Sequence, residues 1–316
     1  MRRDLGAIGF LFDGKRVQRP AGAGQLLDAR LNCLPVGGMP IGLGYFRADD
    51  QQADAVLQGR AGGVASEAVV GDEDGLVGAD VAHDLLQQEN IVQVHLLTLA
   101  APLDIGDEGL GALASSPHLA RLRQLTLYLN GIGDEGVRAL ASSLHLTALA
   151  NLNLRCNEIG PEGARALASS PRLPGLRELW LIANPMGDEG ACALASSPHL
   201  AGLTHLALSC SQMGDQGACA LASSPHLAGL NLLAIGDNRI TDKGVCALAS
   251  SPYLRSLTDL DLSDNPIGDE GALALAAAPH LAGLKFLHLG QIDRELISET
   301  GLTALSARFP QRFHYH

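Results

Sequence analysis

Three cysteines, Cys192, Cys219 and Cys246, follow one another at intervals of 27 residues. A row of thiols on one face of a protein can bind soft metal ions or exchange disulfides. Five histidines, His118, His145, His199, His226 and His280, form a second periodic set that could hold a metal or respond to pH. A third series is acidic, with Asp107, Asp134, Asp188, Asp215, Asp242 and Asp269 in equivalent places, and it could attract a cation.

Each series has a plainer explanation. The thiol slot is filled elsewhere by Arg138, Arg165 and Leu273, so it reads as an outer surface position. Helix axes about 8–10 Å apart also exceed the reach of a disulfide. The histidine slot accepts Arg172 and Tyr253, with no carboxylate or thiol at ligand spacing from it. The aspartates stand where the N-cap of a helix is expected, which accounts for them without a cation. The best nucleophile pair, His205 and Cys210, is split by a stretch of strand roughly 16 Å long, beyond hydrogen-bond reach. No P-loop, HExxH, GxSxG or dinucleotide-binding glycine pattern occurs in context. The chain reads as a non-enzyme, with no cofactor and no metal.

The 27-residue interval is itself the main signal. "GDEGACALASSPHLAGL" (187–203) is followed by "GDQGACALASSPHLAGL" (214–230), and units begin at Leu122, Leu149, Leu176, Leu203, Leu230, Leu257 and Leu284. A looser copy starts at Val94, so eight units occupy roughly 94–316. Within "LTHLAL" (203–208), Leu206 and Leu208 alternate with small or polar residues, the pattern of a strand with one buried face. Asn130, Asn157, Asn184, Asn238 and Asn265 then recur, with Ser211 and Ile292 in the same slot of other units. An amide with both donor and acceptor can satisfy backbone groups as the chain leaves the sheet. "GACALASS" predicts a short helix with Ala191, Leu194 and Ala195 inward, stopped by Pro198.

The pattern L-x-x-L-x-L-x-x-N-x-I-G-D-E-G-A-x-A-L-A resembles the leucine-rich repeat. Its helices, seen as "GARALA" (163–168), "GACALA" (190–195) and "GALALA" (271–276), are similar to those of bacterial members of the ribonuclease-inhibitor-like class. The resemblance implies an α/β solenoid: a curved horseshoe arc with a parallel sheet on the concave face and short helices on the convex face. Strands about 4.8 Å apart against helices roughly 8–10 Å apart demand a bend in the same sense.

Composition narrows the function. The 316-residue chain is 47% hydrophobic but only 3% aromatic, so its core must be built from small aliphatics. A formal charge of -12 argues against nucleic acid, whose phosphates need clustered Lys and Arg. No apolar run approaches the roughly 18 residues of a membrane span. Six cysteines without a CxxC suit reduced thiols and a cytoplasmic setting, with secretion as an effector left open. Asp4 and Asp13 flank the first apolar stretch, against a signal peptide.

The ends differ from the middle. Residues 1–78 carry no sustained period, with 14 Gly in the first 75, so disorder, a poorly patterned small domain and an upstream stretch wrongly included in the reading frame are all open, and residues 1–75 are expected to add nothing to solenoid stability. "ADVAHDLLQQENI" predicts a capping helix over 79–93, ahead of repeats spanning 94–289. Residues 290–316 read as a degenerate last repeat and cap, and removing 309–316 is expected to lower the melting temperature and promote aggregation by baring an apolar cross-section.

Outward strand positions carry no packing duty and vary between units. Tyr128, Asn153, Arg155, Glu178, Trp180 and His205 make an aromatic and basic patch, while Asp259, Asp261 and Asp264 give the far end an acidic one, with His288 a further outward candidate. Tyr, Trp and Arg dominate binding hot spots. The expected function is non-catalytic recognition of a protein partner by a monomer through the concave sheet. The alternative implied by the resemblance is an enzyme regulator, akin to a GTPase activator or a ubiquitin-ligase adaptor.

Overall fold

The computed structural model describes residues 103–290 without a break, together with 94–99, 296–310, residues 82 and 86, and five short strand segments. Met1–Tyr45 forms one unit, in which β1 (Leu11–Phe12) and β2 (Lys15–Arg16) pair antiparallel. Phe46–His316 forms the other. Its strands are β3 (Ala55–Ala61), β4 (Val64–Val70), β5 (Val94–Leu99), β6 (Gln124–Thr126), β7 (Asn151–Asn153), β8 (Glu178–Trp180), β9 (His205–Ala207), β10 (Leu232–Ala234), β11 (Asp259–Asp261), β12 (Phe286–Gly290) and β13 (Phe313–Tyr315). Between the repeat strands lie α1 (Gly106–Ser115), α2 (Asp134–Ser142), α3 (Pro161–Ala168), α4 (Gly187–Ala195), α5 (Asp215–Ser223), α6 (Asp242–Ala249) and α7 (Asp269–Ala277), with α8 (Glu299–Arg308) following β12.

From β5 to β13 every neighbour is parallel and sequential, the signature of a solenoid. Register repeats in step with the sequence: Leu125, Leu152, Leu179, Leu206, Leu233, Leu260 and Leu287 pair across successive strands. All point to one side and are at most 1% exposed. They meet the inward helix residues, of which Ala191 and Leu194 are fully buried. Pro198 ends the α-helical run by opening a 3-10 turn, Pro198–Leu200, that returns Leu200 to the core.

Both ends depart from the repeat. β3 and β4 form an antiparallel hairpin that pairs with β5, Ala55 opposite Leu99, although residues 1–78 show no strand period in the sequence. Backbone pairing along an edge strand can be satisfied whatever the side-chain pattern, and period alone cannot detect it. The predicted capping helix over 79–93 lies mostly outside the described residues; of it, Ala82 and Leu86 are helical, and Ala82 is buried in the core cluster. At the other end Phe309 is buried against the last helix, in the cluster that contains Leu302 and Leu305.

Hydrogen bonds between repeats explain the polar columns that recur along the chain. Asn157 Oδ1 accepts from Asn130 N at 3.0 Å and Ile132 N at 3.1 Å, one unit back. Its amide donates to Leu127 O at 2.8 Å, Leu154 O at 3.0 Å and Arg155 O at 3.1 Å. Asn184, Asn238 and Asn265 repeat the arrangement. The residue before each slot, namely Leu129, Cys156, Ala183, Cys210, Asp237 or Asp264, has φ between 49 and 57°. That left-handed conformation costs a non-glycine residue about 1–2 kcal/mol, and the buried amide network holds it.

The aspartates do not act as N-caps of their own helices. Gly133, Gly160, Gly214 and Gly268 occupy the cap position of α2, α3, α5 and α7. Each carboxylate instead bridges to the start of the following helix. Asp188 Oδ1 accepts from Gly214 N at 2.8 Å and Gly217 N at 2.7 Å; Asp134 does the same for Gly160 at 2.7 Å and Gly163 at 2.8 Å. Parallel helices set side by side bring one carboxylate against the free N–H groups and positive dipole end of its neighbour. Pro161 replaces Asp in one unit, and there the next helix starts differently: Gly187 turns to φ +57° and donates to Ser211 O at 2.9 Å. The glycine three residues on cannot change either, since a Cβ at Gly190 would lie 2.6 Å from Met186 Cβ.

A further ladder escaped the sequence reading. Ser143, Ser170, Ser197, Ser224 and Ser251 are buried, and each hydroxyl donates to a carbonyl of the preceding repeat, at Ala114, Ala141, Ala168, Ala195 and Ala222. Ser197→Ala is expected to cost about 1–2 kcal/mol, because it strands a buried carbonyl; urea unfolding measures it, and an unchanged midpoint would show that the ladder is ornamental.

Candidate functional site

The periodic cysteines and histidines resolve into structural positions. Cys192, Cys219 and Cys246 are partly exposed on the helices and unoxidised. Burial pushes the thiols of Cys192 and Cys246 up, away from the reactive thiolate. Their slot is Arg138 on α2 and Arg165 on α3, which pair along their helices with Glu135 and Glu162, and Leu273 there is 43% exposed. In the histidine slot the preceding serine makes the bond: His145 N and Tyr253 N donate to Ser143 and Ser251 hydroxyls at 3.1 and 3.2 Å. Any side chain therefore fits. Burial holds the His280 imidazole below its ordinary pKa. Among the described residues no group of three or more His, Cys, Asp or Glu is placed to hold a metal ion. Cys210 Sγ lies 3.0 Å from Asp237 Oδ2, on the unit after its own.

The sheet face away from the helices, the one expected to be concave, is built by two columns in register. Gln124, Asn151, Glu178, His205, Leu232, Asp259 and Phe286 form the first. Thr126, Asn153, Trp180, Ala207, Ala234, Asp261 and His288 form the second. Tyr128 and Arg155 follow two residues beyond the second column.

Six of the predicted residues come together on β6–β9. The Arg155 guanidinium lies over the Trp180 indole, 4.6 Å from its centroid. His205 tilts against the other side, with centroids 6.5 Å apart. Trp180 Nε1 donates to Glu178 Oε2 at 3.4 Å, and Asn153 Oδ1 accepts from Arg155 N at 3.2 Å. Beside them is a shallow depression lined by Gln124, Thr126, Asn151, Asn153, Glu178 and Trp180. Its empty volume of about 240 Å³ includes open solvent. A small-molecule cleft normally runs to about 300–1,000 Å³. Gln124, Thr126 and Asn151 were not among the sequence candidates; their place in the same two columns was the available signal.

Asp259, Asp261 and His288 lie apart from this cluster, beyond the buried Ala207 and Ala234. Asp261 is tied down by Ser263, whose N–H and hydroxyl donate to it at 2.9 and 2.6 Å. His288 stacks on Phe286 at 6.2 Å and is 9% exposed.

One expectation needs correction. Trp180 is not a solvated outward residue; it is 8% exposed. Strands so close together let Arg155 and His205 roof the ring from both flanks. Its removal must therefore affect stability.

Burial also pushes the Tyr128 phenol up to about 12, with Cys156 adding to the shift and Arg155 opposing it. The folded state thus holds this proton more tightly than an unfolded chain with an ordinary phenol near 10. Its contribution to stability is complete below pH ~10 and fades as pH rises toward 12. Ultraviolet difference absorbance of the native chain against Tyr128→Phe should show one phenol ionising near pH 12 rather than 10; ionisation at 10 would place Tyr128 in open solvent.

Comparison with known proteins agrees with the geometry. The leucine-rich-repeat family model matches residues 119–141, 143–168, 201–222, 230–249 and 253–276. With register-matched parallel strands alternating with helices, this defines the chain as a leucine-rich-repeat protein, an α/β solenoid. A search of curated proteins returns no match. Similar solved structures include an internalin from Listeria monocytogenes, 18% identical, covering 75% of this chain and 93% of its own at a TM-score of 0.36. A Bacteroides fragilis protein is 18% identical over 74% of this chain and 68% of its own, at 0.47. Among the described residues no helix is long and apolar enough to cross a membrane.

Proposed function

We propose that this chain is a non-catalytic scaffold that binds a protein partner through the open face of its sheet, centred on Arg155, Trp180 and His205. Leucine-rich repeats generally serve as protein-interaction scaffolds, and a helix in every repeat fits the ribonuclease-inhibitor-like subclass. The observation that carries the reading is the Arg155–Trp180–His205 stack across three successive repeats. None of these side chains belongs to the leucine core, yet they assemble a preordered aromatic and cationic surface.

The test is affinity capture by the full chain with identification of retained proteins. A specific partner should be lost with substitutions of His205 and Trp180 and kept with Arg138→Ala on the helix side. Capture that ignores the open face but fails with Arg138→Ala would move the binding surface to the helices. A retained GTPase whose turnover rises on binding would convert the scaffold into a regulator.

A further inference from the structure

Among the described residues Arg155 is a cation with no ion-pair partner. On the helix side Arg138 and Arg165 pair with Glu135, Glu162 and Glu189. The Nε of Arg155 is sealed from water with no hydrogen-bond partner. The acid of the cluster, Glu178, has Oε2 on the Trp180 indole N–H at 3.4 Å. Leaving a guanidinium partly desolvated and unpaired is costly, and the structure compensates only through the indole face. Stacking holds the planar fork in one orientation, the arrangement that reads a carboxylate bidentately.

We infer that Arg155 is the receptor for a carboxylate side chain, Asp or Glu, in an acidic segment of the partner protein. This rests on the proposed function and adds the chemistry of what is bound. Two observations fix the choice. Phosphate recognition generally uses several basic groups, whereas here one guanidinium has the neutral Tyr128 phenol nearby and Asn153 on its own backbone N–H. The far end of the same face carries Asp259 and Asp261 on β11, which would repel an acidic segment and confine it to the β6–β9 end.

The experiment titrates the full chain with an oligo-glutamate peptide, following the emission of Trp180, the single tryptophan of the protein. Saturable binding is expected, absent for an oligo-glutamine peptide of equal length and weakened roughly tenfold or more by Arg155→Met. Arg155→Lys keeps the charge but not the fork and should fall between the two; melting curves confirm that both variants fold. Asp261→Asn should leave affinity unchanged or slightly better. No binding of oligo-glutamate, equal binding by folded Arg155→Met, or tighter binding of an oligo-phosphoserine peptide each overturns the assignment. The two levels separate cleanly. A partner captured through the open face whose footprint has no acid opposite Arg155 ends this inference alone, while capture indifferent to every open-face substitution removes the underlying function.

Discussion

Asn157→Ala is expected to destabilise the solenoid by about 3–5 kcal/mol, more than a typical single substitution. The side chain is 2% exposed and makes five hydrogen bonds to backbone groups on both sides of its turn. Alanine leaves two N–H groups and three carbonyls without that partner in a dry interior. It also releases Cys156, whose left-handed φ of 53° depends on the turn. Because neighbouring units share the bonds, damage should spread to 122–148. Urea unfolding would show the loss, and amide exchange would show Asn130 and Ile132 exchanging fastest among the slots. A loss below about 1 kcal/mol would mean that water replaces the amide without penalty.

Trp180→Ala is expected to cost about 2–3 kcal/mol of stability and at least as much in partner binding. The ring is 8% exposed and supports both Arg155 and His205, so its loss frees two side chains and opens a hollow on the sheet. Trp180→Phe separates the two effects. It keeps an aromatic face for Arg155 but loses the indole N–H that binds Glu178, so most stability should return while affinity recovers in part. If Trp180→Ala melts like the native chain, the guanidinium does not rest on the ring. If it binds like the native chain, the site lies elsewhere.

The solenoid was readable in the sequence because its core is a one-dimensional repetition. Leu206 and Leu208 must alternate to bury one face of a strand, and Ala191, Leu194 and Ala195 must share one face of a helix. Such local geometry leaves a period that survives without coordinates. The Asn column was legible for the same reason, since a buried amide at a fixed point of a turn has few substitutes. The outward strand positions could also be counted off, which is how Arg155 and Trp180 entered the candidate list.

What only the tertiary structure decided concerns partners that lie one unit away. The carboxylate of Asp188 faces Gly214 and Gly217 rather than its own helix, because side-by-side packing puts the neighbour's free N–H groups closer than its own. The serine ladder is invisible in a sequence where "SSP" reads as a polar helix end. Burial of Trp180 is likewise a property of the spacing between strands and not of its own strand. The β3–β4 hairpin on β5 is a backbone pairing, which a search for side-chain period does not detect. A period records what each repeat does for its own core; hydrogen bonds and stacking across repeats depend on how far apart the units come to rest, and only the folded chain sets that distance.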